Sequence, residues 1–171
     1  ALDAFTYSGA FALQLSDVCD EVEAVDLSAA AVKLARSNVE RNGLTNIRWY
    51  QGDAFEVLRA MQPARTRFDT IVVDPPAFAK AKAAVPQALK GYKEINLRAM
   101  RLLSPGGVLI SASCSFHVRR AEFLESIVAA ARDSGRMLSV VEHLGQGVDH
   151  PEVLTIPETG YLKGIVLRAE G

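Results

Sequence analysis

Short apolar runs alternate with segments of helical periodicity along the whole chain. The runs predict strands at residues 1–5, 22–25, 47–51, 68–74, 108–113, 139–144 and 162–167. The periodic segments predict helices at residues 10–18, 29–42, 54–61, 89–103 and 119–134. Residues 80–85 are expected to form a mobile loop, and a long loop rich in Gly and Pro separates the last two strands. The alternation predicts an α/β fold with one doubly wound sheet, mostly parallel, with an antiparallel strand near the C-terminus.

The fourth predicted strand ends in the segment Asp74-Pro75-Pro76-Ala77-Phe78. Prolines cannot donate ladder hydrogen bonds, so the strand must stop there and leave Asp74 and Phe78 at its carboxyl end. Open α/β sheets bind their ligands at that edge. A carboxylate and carbonyl groups can bind the edge of a flat ring, and an aromatic side chain can cover its face. The segment therefore predicts a site for a nucleobase or another planar amine.

Composition narrows the class of protein without identifying a partner. A length of 171 residues, 49% of them hydrophobic, suits a single domain over residues 1–171 with a substantial core. The first residue, Ala1, already lies in a predicted strand, so we expect a fragment of a longer protein. No apolar run has the length of a membrane span, and two cysteines are too few for a disulfide framework, which makes the cytoplasm the expected location. The net charge of −1 argues mildly against tight binding of a long nucleic acid by this domain alone.

The ends of the first three predicted strands carry signals for an adenosine-containing cofactor. The first turn has one glycine, Gly9, and not the Gly-x-Gly-x-x-Gly of dinucleotide sites. Asp26 ends the second strand, where an acid can accept both ribose hydroxyls, and Asp53 follows the third strand, where it could accept from an adenine amine. Each acid alone could equally be a structural cap, so the prediction rests on the ordered series. The series suits S-adenosylmethionine better than a dinucleotide.

With these motifs in order, the chain resembles class I S-adenosylmethionine-dependent methyltransferases. It is most similar to the bacterial ribosomal RNA large subunit methyltransferase I family, which makes 5-methylcytosine. The matching segments are residues 5–11 (Phe-Thr-Tyr-Ser-Gly-Ala-Phe), 25–28 (Val-Asp-Leu-Ser), 38–43 (Asn-Val-Glu-Arg-Asn-Gly), 74–78 (Asp-Pro-Pro-Ala-Phe), 91–96 (Gly-Tyr-Lys-Glu-Ile-Asn), 113–115 (Ser-Cys-Ser), 149–151 (Asp-His-Pro) and 161–164 (Tyr-Leu-Lys-Gly). Ala10 departs from the pattern, because many members carry a second glycine there.

The resemblance implies a Rossmann-like sheet and a set of site residues. Cofactor binding is expected of Phe5, Tyr7, Ser8, Gly9, Asp26, Leu27, Ser28, Asp53, Ala54 and Asp74. Substrate binding is expected of Pro75, Pro76 and Phe78. The place of Lys80 just after this segment makes it a candidate for contact with phosphate, and a solvated surface position is the alternative. The implied partner is ribosomal RNA. Part of the RNA binding is expected to come from an N-terminal PUA domain that members carry and these 171 residues lack. A homodimer is a further expectation.

Cys114, in Ser113-Cys114-Ser115 at the end of the fifth predicted strand, supplies the second half of the expected chemistry. Carbon 5 of cytosine is a poor nucleophile, and a thiolate added at carbon 6 makes it reactive. The resemblance implies that Cys114 is this nucleophile and that Asp74 orients the base. No second cysteine follows Pro75-Pro76, which excludes a mechanism with two active-site cysteines. The base that removes the final proton stays open between Asp74 and a water.

Two alternatives remain open at this stage. Asp-Pro-Pro-Phe also resembles the loop of enzymes that methylate an exocyclic amine directly, a reaction that needs no cysteine. A non-catalytic domain could keep the same fold for binding or assembly. The chain offers no metal-ligand spacing, since its three histidines are scattered and its two cysteines are far apart.

Overall fold

One seven-stranded sheet organises the residues that the structure, a computed structural model, describes: 1–64 and 66–171. Its strands are β1 (Leu2–Ala4), β2 (Val22–Asp26), β3 (Ile47–Gln51), β4 (Phe68–Val73), β5 (Leu103–Ser113), β6 (Leu138–Leu144) and β7 (Lys163–Ala169). The helices are α1 (Ala10–Ser16), α2 (Ala29–Arg41), α3 (Ala54–Met61), α4 (Val85–Leu102) and α5 (Arg120–Ser134). Short 3₁₀ turns cover Lys82–Ala84 and Pro157–Thr159.

The strand order is β3-β2-β1-β4-β5-β7-β6, which confirms the predicted doubly wound, mostly parallel sheet. β1 pairs in parallel with both β2 and β4, β3 pairs in parallel with β2, and β5 pairs in parallel with β4. β7 lies antiparallel between β5 and β6, so the predicted antiparallel strand near the C-terminus is also confirmed. The order reverses between β1 and β4. Such a switch point leaves a crevice at the carboxyl ends of the strands.

The ends of several elements follow from local chemistry. Ser28 accepts a hydrogen bond from the Ala31 N–H through its hydroxyl and begins α2, while Asp53 accepts from the N–H groups of Phe55 and Glu56 and begins α3. Each cap therefore begins a helix within two residues of the carboxyl end of the preceding strand.

The core is built from rows of apolar residues that cross the strands. Leu2, Ile71 and Leu109 are paired across β1, β4 and β5 and are fully buried. Neighbouring residues of a strand point to opposite faces of the sheet. Accordingly Val25 belongs to the large cluster that also contains residues of α3, α4 and α5, and Ala24 to a smaller one with Ala12 of α1. Burial of apolar side chains on both faces fixes the register of β2.

The structure corrects the expectation of a loop at residues 80–85. A 3₁₀ turn covers Lys82–Ala84 and α4 begins at Val85, four residues before the predicted start. Pro86 occupies the first turn of α4, where its missing N–H costs nothing and its fixed φ suits the helix. β5 also begins earlier than predicted, at Leu103. Its pairing with β4 shifts register between Phe68 and Thr70, which absorbs the Ser-Pro-Gly-Gly segment at residues 104–107.

Candidate functional site

A cavity of about 690 Å³ opens at the carboxyl ends of β1, β2, β4 and β5. Its walls come from the loops that follow these strands, from the start of α3 and from the segment that leads into β7. The lining residues are Phe5, Tyr7, Asp26, Leu27, Asp53, Ala54, Phe55, Asp74, Pro75, Pro76, Phe78, Cys114, Tyr161 and Leu162. The cavity thus occupies the crevice that the strand order creates.

The turn between β1 and α1 is held in an unusual backbone conformation. Phe5 and Tyr7 have φ values of 72° and 47°, and Gly9 has a φ of 84°. Non-glycine residues with positive φ cost free energy and are found mainly where function requires them. A Cβ on Gly9 would lie 3.2 Å from the Cβ of Ala35, so glycine is required by close packing as well as by φ. Within this turn, Phe5 and Tyr7 line the crevice.

Asp26 fixes this turn from the neighbouring strand. Its Oδ2 accepts from the Tyr7 N–H and its Oδ1 from the Ser28 N–H, each at 2.8 Å. A carboxylate has about four lone-pair sites, so both oxygens can still accept from a ligand. Asp26 lines the cavity and is partly exposed, which suits acceptance from two adjacent hydroxyls.

Asp3 lies beneath the same turn and is fully buried. Its Oδ2 accepts from the Thr6 hydroxyl and from the Ala12 N–H, but its Oδ1 has no partner among the described residues. Burial raises the pKa of Asp3 to about 6, although the two hydrogen bonds oppose the shift. A buried carboxylate oxygen without a donor is costly, although Asp3 does not line the cavity.

Asp74 and Cys114 meet on the other side of the cavity, at the ends of β4 and β5. The thiol Sγ lies 3.9 Å from the Pro75 carbonyl oxygen, a long sulfur contact. Burial raises the pKa of Asp74. Burial also raises the pKa of the Cys114 thiol, and the negative charge of Asp74 adds to that shift, while Lys163 opposes it. A carboxyl group and a thiol, both with a pKa raised by burial, therefore line the same cavity.

A buried chain of hydroxyl groups holds the Cys114 loop in place. Ser113 Oγ donates to Tyr92 Oη at 2.8 Å, and Tyr92 Oη lies 2.7 Å from Ser115 Oγ. Ser115 Oγ accepts from the Ala79 N–H at 3.3 Å, and Ser113 Oγ accepts from the Ser115 N–H at 3.2 Å. The residues on either side of Cys114 are thereby bonded to helix α4 and to the loop after β4. This arrangement fixes the thiol relative to Asp74.

An aromatic cluster forms the floor between the two halves of the cavity. Phe78 lies 6.4 Å from Phe5, 6.0 Å from Phe55 and 4.7 Å from Tyr92, measured between ring centroids. A Cβ on Gly91 of α4 would come within 3.2 Å of the Phe78 ring, so glycine at that position lets the ring pack against the helix. Phe78 is half-buried in this cluster, and the ring therefore acts as a wall of the cavity and not as a free stacking platform.

The cavity brings together most of the residues that the sequence predicted, from both halves of the site. Four of them are not among its lining residues: Ser8, Gly9, Ser28 and Lys80. Ser8, Gly9 and Ser28 shape the backbone around Asp26, and Lys80 lies exposed beyond the Pro-Pro loop. Sequence reasoning missed Phe55, Tyr161 and Leu162 in the lining, and it missed the buried Asp3. Tyr161 and Leu162 belong to the Tyr-Leu-Lys-Gly segment at residues 161–164, which resembles the family. That resemblance was the signal that could have identified them.

Two kinds of site do not occur in the described residues. No group of three or more His, Cys, Asp or Glu side chains there is arranged to hold a metal ion. Among the helices of that same part of the chain, none combines the length and the apolar character needed to cross a membrane.

The family described as "Methyltransferase domain" matches residues 1–157. Among curated proteins, the chain is 43% identical over 171 residues to a protein of Aeromonas salmonicida named "Ribosomal RNA large subunit methyltransferase I", and 42% identical over 170 residues to one of the same name from Citrobacter koseri. Both alignments cover 98% of this chain but 43% of the relative, so the chain spans less than half the length of these relatives.

Solved structures agree on the fold. SMU.776, described as "a putative methyltransferase complexed with SAH", superposes with a TM-score of 0.85 at 21% identity, over 98% of this chain and 44% of that one. NSun6 from Pyrococcus horikoshii, solved with SFG, superposes with a TM-score of 0.71 at 18% identity, over 98% of this chain and 47% of that one. At these identities the likeness concerns the architecture.

Proposed function

Since the chain belongs to the methyltransferase-domain family, we propose that it methylates carbon 5 of a cytosine in ribosomal RNA through a covalent adduct with Cys114. The observation that carries the proposal is the meeting of a thiol and a carboxyl group, Cys114 and Asp74, on one wall of the cavity. The opposite wall holds Asp26 and the strained β1–α1 turn. A cofactor and a base can therefore be bound face to face.

S-adenosylmethionine is the cofactor, and it supplies an activated methyl group when bound. The residues around the turn fit it. Asp26 keeps lone pairs that could accept from the two ribose hydroxyls. Asp53 uses one oxygen, Oδ1, for the cap of α3, which leaves Oδ2 for an adenine amine. The cavity of about 690 Å³ is within the size range of cofactor sites.

Asp74 and the Pro75 carbonyl would bind the edge of the cytosine. Burial raises the pKa of Asp74 and so favours the protonated carboxyl group, which in that form would donate to N3 and draw electron density from the ring. The Cys114 thiolate then forms a bond to carbon 6, and the ring electrons shift so that carbon 5 can attack the methyl group. The bond from that methyl group to the sulfonium sulfur breaks, and the sulfur leaves as a neutral thioether. Loss of the proton from carbon 5 to a base breaks the carbon–sulfur bond and restores the aromatic ring. Cys114 is regenerated.

The RNA substrate is proposed from the names of the relatives and from the fit of the site to a flat base. This domain has 19 basic and 20 acidic residues. With a net charge of −1, it exerts little electrostatic attraction on RNA phosphates. We infer that most of the RNA affinity comes from sequence outside residues 1–171. The site would then select and orient the base while other surfaces hold the strand.

The test is covalent trapping with RNA that carries 5-fluorocytosine. Fluorine at carbon 5 leaves no proton to remove after methyl transfer, so the adduct cannot break down. With the full-length protein and S-adenosylmethionine, we expect a protein–RNA complex that survives a denaturing gel. Cys114→Ala should give no complex and no turnover while its cofactor affinity is unchanged. Cys19→Ala is the matched control, because Cys19 packs beside the small core cluster and away from the cavity, and it should trap like the wild type.

Direct methylation of an exocyclic amine is the second candidate, favoured by the sequence Asp74-Pro75-Pro76-Ala77-Phe78 at the cavity wall. It makes the opposite forecast: no trapped complex and substantial activity in Cys114→Ala. Mass spectrometry of the nucleosides from treated RNA separates the two, since it identifies the methylated base and position.

A further inference from the structure

Lys163 is a buried lysine that the chemistry above does not use. It is 4% exposed and begins β7, directly opposite Ser113 in the antiparallel pairing with β5. A lysine in such a place needs acceptors, since an unpaired buried ammonium is very costly. Its Nζ donates to the carbonyl oxygens of Ser115 at 2.9 Å and of Tyr161 at 2.8 Å. One of these acceptors belongs to the residue that follows Cys114.

We propose that Lys163 is the cation that stabilises the thiolate of Cys114. The pairing of Ser113 with Lys163 brings the ammonium beside the loop that carries the thiol, and the bond to Ser115 fixes it there. An ammonium has three N–H donors, and two are held by carbonyl groups, so one remains for a charged partner. The role in catalysis rests on the proposed function, because it matters only if Cys114 is the nucleophile.

The charged groups around the thiol explain why a cation is needed. Burial raises the pKa of Cys114, and the negative charge of Asp74 at the end of β4 raises it further. Both effects reduce the fraction of thiolate, which is the reactive form. Lys163 is the side chain whose positive charge lowers the pKa of Cys114. Whenever Asp74 is ionised, its charge opposes formation of the thiolate, and the charge of Lys163 offsets that effect.

The protonation state of Lys163 is compatible with this role. Burial lowers its pKa to about 8, and Arg120 at the start of α5 lowers it too, while a Cys114 thiolate raises it. Because the pKa of Lys163 lies above neutral pH, most of its amine is in the ammonium form at neutral pH. The two groups therefore favour each other's charged form.

The test measures ionisation of the thiol and needs no methyl transfer. Full-length protein is alkylated with iodoacetamide over a range of pH, and mass spectrometry follows Cys114 and Cys19 separately. In Lys163→Gln and Lys163→Met we expect the Cys114 profile to move to higher pH, with its rate at neutral pH reduced about tenfold. Lys163→Arg keeps the charge and should stay close to the wild type. Cys19 serves as the internal control, and Lys33→Gln on α2 as the control for loss of a distant lysine charge.

Two results would overturn the proposal. An unchanged Cys114 profile in both neutral variants would show that the charge has no effect. A normal profile in Lys163→Gln, whose amide can still donate to the two carbonyl groups, with a shifted one in Lys163→Met, would show that Lys163 only fixes the backbone. Neither result depends on trapping with 5-fluorocytosine, so a failed trap with a shifted profile would count against the cytosine reaction and not against stabilisation of the thiolate by Lys163.

A measurement on the wild-type chain covers the case in which the neutral variants do not fold. Coupling between two charges is reciprocal. Alkylation of Cys114 removes the possibility of a thiolate, so the NMR titration of the ¹⁵N-labelled Lys163 amine should move to lower pH after the reaction. An identical Lys163 titration before and after alkylation would refute the pairing.

Discussion

Removal of one buried hydroxyl, by Tyr92→Phe, tests whether the hydroxyl chain positions Cys114. Tyr92 is fully buried, and its Oη makes two hydrogen bonds, to the hydroxyls of Ser113 and Ser115. Phenylalanine keeps the ring contacts with Phe78 and Phe123, so the loss is confined to those bonds. At about 1 kcal/mol for each buried bond, the variant should lose about 2 kcal/mol of stability.

Thermal unfolding should show this loss as a fall in Tm of roughly 4–8 °C for a chain of this length. Catalysis should fall as well, because Ser113 and Ser115 flank Cys114 and would no longer be tied to α4. We expect a decrease of about tenfold in kcat/KM for RNA methylation, since small misplacements of a reacting group are costly. Cofactor affinity, measured by calorimetry, should be unchanged, because Asp26 lies on the opposite wall.

Tyr50→Phe is the matched control, because Tyr50 is 36% exposed and lies on β3, away from the cavity. Its Tm should stay within about 1 °C of the wild type. A Tyr92→Phe protein with unchanged Tm would mean that the hydroxyl chain contributes no net stability. A destabilised Tyr92→Phe protein with full activity would mean that the chain does not position Cys114.

Two further predictions concern the cofactor half of the site. Asp26→Ala should bind S-adenosylmethionine about ten- to a hundredfold more weakly in calorimetry, since a carboxylate that accepts from a ligand contributes roughly 1.5–3 kcal/mol, and equal affinity in a folded variant would remove Asp26 from the site. For Asp3, whose pKa rises from 3.8 when unfolded to about 6, the folded state binds the proton more tightly, so its stability contribution falls as the pH rises through this range. Asp3→Asn removes that penalty, and urea unfolding should show its stability relative to the wild type rising by about 2–3 kcal/mol between pH 4 and pH 7. A relative stability that is flat with pH would contradict burial of an ionised Asp3.

Much of the fold could be predicted because its signals are local. Apolar runs between helical segments predicted the strands, and in the structure Ser28 and Asp53 cap the helices that follow two of them. The start of α4 was misplaced, because a proline in a polar segment is compatible with a loop and with a first helical turn. Only the pairing of neighbouring elements separates the two.

Some residues of the site could likewise be placed from the sequence, and others could not. Asp26, Asp74 and Cys114 could be placed on one edge of the sheet, because each directly follows a predicted strand and parallel strands share their carboxyl edge. Phe55 and the Tyr161–Leu162 segment could not be placed there, since they reach the cavity through the packing of α3 and through the antiparallel pairing of β7.

The sequence by itself determined the order of strands and helices and the chemistry at each strand end, because local hydrophobic period and turn residues fix both. Only the tertiary structure decided which polar groups are buried together. Tyr92 meets Ser113 across 21 positions of sequence, and Lys163 meets Ser115 across 48. No local pattern in the sequence predicts hydrogen bonds over such separations. The strand order and register that create them depend on the packing of the whole sheet.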